Sequence, residues 1–155
     1  MLGKQANHAL RALLELASDP LRWRSTPELA TAQQLPEAML EQLLLRLRRA
    51  QLLEARRGRC GGYRLARPAS AISVAAVLAA IGVRPQPPWP GNAAQAPPAP
   101  SQPEPAASEQ VTRALQQRLE RALNRSLEEL SLEELLFDLR SAEASQGVGS
   151  GLLLG

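Results

Sequence analysis

Nine of the 21 residues from Pro85 to Pro105 are proline. Proline lacks an amide hydrogen and has a fixed φ, so such a stretch supports neither a helix interior nor a central strand. It reads instead as a stiff, extended linker. The 155-residue chain is therefore expected to divide at this point. Residues 1–83 form one part, 84–106 the Pro-rich linker, and 107–140 a helical part; 141–155, rich in Ser, Ala and Gly, reads as a disordered tail.

Aromatic residues make up 3% of the chain, so a core must be built from Leu, Ala, Ile and Val. The longest nearly uninterrupted apolar run, Ile72 to Val83, holds 12 residues. A bilayer needs roughly 20. Asn7 and His8 stand where a signal peptide would be apolar. No membrane partner is expected, and a cytoplasmic location is. Cys60 is the only cysteine, which excludes an intrachain disulfide and a Cys-based metal site within one chain. No metal and no cofactor are expected.

The net charge of +3 conceals an asymmetry. Residues 1–83 hold 12 Lys and Arg against 6 Asp and Glu, whereas 84–155 hold 6 Arg against 9 acids. Eight Arg (46, 48, 49, 56, 57, 59, 64 and 67) fall within 46–67, against the single acid Glu54. That density points to a polyanionic partner or to a solvated Arg-rich surface, and position decides between them.

Leu10, Leu13, Leu14 and Ala17 recur at helical spacing, and Asp19-Pro20 ends that helix. Ser25-Thr26-Pro27-Glu28 is a helix start, with a hydroxyl cap, an early Pro and a Glu three residues on. The short helix it opens runs over 27–33, and Gln34-Leu35 form a turn. Pro36 opens a second helix bearing Leu40, Leu43, Leu44 and Leu47. Together these make a helix-turn-helix. Two strand-like runs, 52–56 and 63–67, flank the Gly-rich segment Gly58 to Gly62, which suits a hairpin. Val74, Val77, Leu78 and Ile81 mark a further helix, stopped near Gly82. This order is that of a winged helix-turn-helix. The predicted fold is mainly α with a small β-hairpin wing, plus a long helix beyond the linker.

That long helix is capped by Ser108 in this reading. Val111, Leu115, Leu119 and Leu123 line one side of it, with Ala114 and Ala122. The stripe either docks on its own domain or pairs with the same helix of a second subunit; a homodimer is favoured because readers of this type address two half-sites. Ser131-Leu132-Glu133-Glu134 is a second capping box, before Leu135, Leu136 and Leu139 on a short following helix.

The basic residues sit where a winged helix meets duplex DNA. Arg57 and Arg59, on a Gly-flanked tip, are candidates for a narrow minor groove. Arg46, Arg49 and Arg64 are candidate phosphate contacts, which position without reading sequence. Thr26 either caps its helix or offers a hydroxyl or helix-start N–H to phosphate. Glu41 and Gln42 are either exposed surface or contacts to cytosine and adenine edges. Met39 either packs or touches a thymine methyl. Cys60 is either an inert small residue or a redox-active thiol beside Arg. His8 has no visible acid or thiol partner, and Trp23 and Trp89 are read as covering surface patches. The Gly-rich segment lacks the Lys-Ser/Thr ending of a phosphate-binding loop and precedes a strand, so no enzyme is expected.

Leu40-Glu41-Gln42-Leu43-Leu44, Arg46 to Ala50, and Arg57-Gly58 leading to Gly61-Gly62-Tyr63-Arg64-Leu65-Ala66-Arg67-Pro68 resemble the Rrf-two family of bacterial transcription regulators. His8 to Leu13 is similar to that family's first helix, and Leu130 to Leu135 to the segment after its dimerisation helix. The resemblance implies a homodimer joined by a long crossed helix. It implies a second helix in the major groove, with Pro36, Ala38, Met39, Glu41 and Gln42 at the groove-facing end. Arg57 occupies the wing arginine position. IscR/NsrR-like members that bind an iron–sulfur cluster carry three cysteines before the dimer helix; none stands there in this chain. The family's histidine-ligand position falls on Arg113 and its last cysteine position near Gln110. The resemblance thus implies a cluster-free regulator of double-stranded DNA, with any small-molecule effector left open. The alternative is a protein-interaction module derived from such a regulator that no longer reads DNA.

Overall fold

The computed structural model describes residues 2–85 and 106–151. The linker expected over 84–106 therefore lies almost wholly outside the described residues, as do Trp89 and residues 152–155. Helix α1 spans Lys4–Ser18, α2 Thr26–Gln33 and α3 Glu37–Arg49; strands β1 (Leu53–Arg56) and β2 (Gly62–Leu65) follow, then a 3₁₀ turn Ala69–Ala71, α4 (Val74–Ala80), α5 (Ala107–Glu129) and α6 (Leu132–Gly151). The fold is mainly helical with a two-stranded antiparallel hairpin, as the sequence pattern predicts.

The apolar periodicity becomes one Leu- and Ala-rich core. Ala9, Leu13 and Leu16 of α1, Leu29 of α2, and Leu40, Leu43, Leu44 and Leu47 of α3 are buried together with Ile72, Val77, Leu78 and Ile81. The helix-turn-helix corner is set by the cap of α2. Gln34 adopts a left-handed conformation (φ 53°), and Leu35 N–H bonds back to Ala30 O at 2.9 Å. Leu35 is thereby turned into the core, and Pro36 begins α3. At the helix starts, Ser25 accepts from Glu28 N–H and Ser73 from Ala76 N–H.

In the hairpin, Leu53 pairs with Leu65, Glu54 with Arg64, Ala55 with Tyr63 and Arg56 with Gly62. Alternation sends Leu53 and Leu65 into the core and leaves Glu54, Arg64 and Arg56 on the outer face. A single residue adds a third edge to this ribbon. Arg24 exchanges backbone hydrogen bonds with Tyr63 (3.0 and 2.8 Å), tying the segment before α2 to the wing.

The second part of the chain is docked on the first. Val74 N–H bonds to Leu130 O and Leu132 N–H to Ile72 O, both at 2.8 Å. This bridge sets the starts of α4 and α6 side by side. Ser131 and Glu134 form the predicted reciprocal capping box (3.3 and 3.0 Å). Leu132 and Leu136 enter the same core as α1.

Three expectations need correction. Ser108 does not cap α5, which starts from Ala106 with no side-chain cap. The following helix is not short: α6 has 20 residues. The reading of 141–155 as disordered fails over 141–151, which continue α6. A helix already anchored by Leu132 and Leu136 extends without a new nucleation step. The hydroxyls of Ser141 and Ser145 bond back to Phe137 O (3.0 Å) and Ser141 O (2.9 Å), so they do not pull the backbone out of the helix.

Candidate nucleic-acid interface

Helix α3 buries one face and exposes the other. Ala38, Glu41 and Gln42 are exposed beside Pro36, as a groove-reading face requires. Met39 is not free with them. It is half-buried, and its Sδ lies 3.1 Å from Nδ1 of His8 on α1. Of the two readings of Met39, packing is the one seen here, and it also gives His8 its neighbour.

Thr26 is the first residue of α2, but the capping role belongs to Ser25. The Thr26 hydroxyl has no hydrogen bond among the described residues.

The arginines divide into two groups. Arg46 donates from Nη1 to Ile81 O at 3.1 Å, which fastens the end of α3 to the end of α4. Arg64 forms an ion pair with Glu54 and lies 4.4 Å from the centroid of the Trp23 ring. Arg56 donates to Cys60 O at 2.7 Å and lies 4.8 Å from the same centroid. Arg64, expected as a phosphate contact, is instead a half-buried structural cation with an acid directly across the ribbon. Its separation from Glu54 in sequence hides a pairing that the hairpin register makes adjacent. Arg48, Arg49, Arg57, Arg59 and Arg67 are exposed and make no ion pair or hydrogen bond among the described residues.

Two glycines set the wing's shape. Gly62 has φ 138°, and a Cβ there would overlap the Arg24 carbonyl. A Cβ on Gly61 would overlap the Arg56 carbonyl. Only glycine lets β2 approach residue 24 this closely while the tip folds back on β1. Cys60 stands exposed in that tip.

Sequence reasoning missed a polar network behind the wing. Glu15 accepts from Arg24 (2.6 Å) and from Gln33 (2.7 Å), and Arg11 donates to Gln33 Oε1 (3.2 Å). It joins α1, α2 and the residue 24 edge. A lone bridge residue carries no alternation, so no pattern in the sequence marked Arg24 or its neighbour Trp23.

Helix α5 has no buried residue. Val111, Leu115 and Leu119 are 68%, 53% and 38% exposed, and Leu123 is half-buried. Among the described residues, nothing buries the first three.

Helix pair, glycine-shaped wing and cationic tip define a winged helix-turn-helix protein of the DNA-binding class. The profile of the Rrf2 family, described as an iron-dependent transcriptional regulator, matches residues 2–138. The chain belongs to the Rrf2 family of transcriptional regulators. It is 31% identical over 156 residues to slr0846 of Synechocystis, named as an HTH-type transcriptional regulator, covering 99% of each chain. It is 40% identical over 83 residues to the HTH-type transcriptional regulator IscR of Cereibacter sphaeroides, covering 52% of this chain and 54% of that one. Among solved structures, T. potens IscR superposes with a TM-score of 0.68 at 24% identity, covering 92% of this chain and 90% of that one. CymR, the global cysteine regulator of B. subtilis, gives 0.67 at 24% identity, covering 88% and 95%. These two likenesses support the fold. Among the described residues, no helix is long and apolar enough to cross a membrane.

Gly62→Ala is expected to open the base of the wing while leaving the core intact. Amide exchange at Arg24 and Tyr63 should accelerate, and exchange at Leu13 should not.

Proposed function

We propose that this chain is a sequence-specific, homodimeric DNA-binding regulator of the cytoplasm that works without an iron–sulfur cluster. The observation that carries the reading is the pair of exposed guanidinium groups, Arg57 and Arg59, without a partner among the described residues, on a wing tip braced to the helix-turn-helix by the Arg24–Tyr63 bridge. In this reading α3 lies in the major groove. Ala38, Glu41 and Gln42 face base edges, and Pro36 sets the helix start against the backbone. The tip enters the adjacent minor groove. Thr26 and Arg49 bind phosphate, and Arg46 does so only with the nitrogens that Ile81 leaves free.

The exposed stripe Val111, Leu115 and Leu119, continued by Leu123, pairs with its copy in a second subunit. An apolar helix face of this kind needs a cover, and a two-fold partner presents two reading heads to two half-sites.

An iron–sulfur cluster is held by thiolates, with imidazole as a substitute. The residues present do not fit one. Cys60 is the only cysteine and sits at the wing tip. The first turns of α5 carry Arg113, paired with Glu109. Among the described residues, no three His, Cys, Asp or Glu side chains gather to hold a metal. Control would then pass through another effector, the Cys60 thiol or protein level.

Three measurements check this reading. Arg57→Ala should weaken binding to a selected duplex by about 1–3 kcal/mol and leave random duplex unchanged; Arg49→Ala should weaken both and flatten the slope of log K against log salt by about 0.9. Absence of salt-dependent binding in the wild-type protein would instead favour the interaction-module alternative. Leu115→Glu combined with Leu119→Glu should convert a sedimenting dimer to a monomer and lower affinity for a two-half-site duplex. Anaerobically purified protein should lack a broad visible absorption band and stoichiometric iron and sulfide.

A further inference from the structure

Trp23 lies one residue before the bridge to Tyr63. By the antiparallel register it shares the outer ribbon face with Arg64 and Glu54, and with Arg56 one step along. Two guanidinium groups sit over its ring, at 4.8 Å and 4.4 Å from the centroid. Both distances fall within the range where an indole face attracts a cation. Without the ring, two like charges would stand on one face with only Glu54 to offset them. The indole supplies the missing attraction.

The two cations lead in different directions. Arg64 is held back by its ion pair with Glu54 at the base of the hairpin. Arg56 reaches forward and donates to the Cys60 carbonyl inside the tip turn, at 2.7 Å. Gly62, opposite Arg56, places no side chain between it and the indole. Behind Trp23, Arg24 is fixed to α1 by its 2.6 Å ion pair with Glu15. A continuous chain of contacts thus runs from α1 through residues 23–24 and Arg56 to the tip backbone.

We propose that Trp23 is a positioning residue for DNA recognition: by holding Arg56 against its ring it fixes the direction in which the Arg57–Arg59 tip leaves the domain, and so sets discrimination between specific and random DNA. This rests on the reading of the wing as a minor-groove contact. Trp23 itself touches no base. A ring at this position restricts the tip before binding, so less ordering remains to be done in the complex.

The test uses full-length protein, a duplex enriched by in vitro selection on the wild type, and a scrambled duplex of equal composition. Fluorescence anisotropy should show W23L binding the selected duplex about five- to thirtyfold more weakly, with the scrambled duplex and the salt slope unchanged. W23F should recover most of the loss. The losses from W23L and R57A should overlap in the double variant, whereas those from W23L and R49A should multiply. Amide exchange over residues 58–62 should accelerate in W23L and return in W23F. If W23L does not fold, R56Q carries the same comparisons, since it removes an exposed cation and leaves the indole and the Arg64–Glu54 pair. Wild-type discrimination by W23L, equal loss on both duplexes, or multiplying losses with R57A overturns the proposal. If the wild type itself fails to discriminate, the regulator reading falls. The exchange measurement then still decides whether Trp23 holds the tip, and unchanged exchange overturns that too.

Discussion

The wing of this protein depends on two backbone hydrogen bonds, between Arg24 and Tyr63. A two-stranded hairpin alone is marginal in water. Here a third edge one residue long converts it into a braced ribbon. The bridge needs close approach, and close approach needs Gly62. It also fixes the entry to α2, whose cap is the very next residue, Ser25. The helix-turn-helix and the wing therefore cannot shift independently. A reader of two adjacent grooves requires that rigidity, because each groove contact is productive only if the other is already in register.

Docking of the second half follows the same economy. A single bridge at Ser73 and Ser131 sets two capped helix starts side by side, and Leu132 and Leu136 complete the core. Helix α6 carries the buried residues of this docking. Helix α5 contacts α4 near its C-terminal end, while Val111, Leu115 and Leu119 in its N-terminal half are exposed among the described residues. The two readings of the Leu stripe are thus divided along the chain. Leu127 packs on its own domain, and the exposure of Val111, Leu115 and Leu119 before it supports the proposed pairing with a second copy.

Much of this was legible in the sequence because long helices write their burial as a period. The Leu stripe of α3, the hydroxyl cap at Ser25 and the capping box at Ser131 are local signals, and the structure returns each of them. What failed to show is non-local or patternless. Arg24 forms a strand of one residue, too short for alternation. Glu54 and Arg64 are ten residues apart and meet only through the hairpin register. Met39 and His8 meet across 31 positions. The tail misread at 141–151 has the opposite cause. Its composition is weakly helical, and the helix persists there because it continues one already paid for by tertiary contacts upstream.

The division of the arginines changes what charge implies. Eight arginines between 46 and 67 suggest a uniform basic surface. Three of them have internal partners: Arg46 on Ile81 O, Arg56 on Cys60 O and the Trp23 ring, Arg64 on Glu54 and the same ring. Five remain with no such partner among the described residues. The three held cations are not wasted. They convert charge into geometry, and geometry rather than charge separates one duplex sequence from another. On the proposed reading, cation count governs how tightly any DNA is held, while the braced wing governs which DNA is preferred.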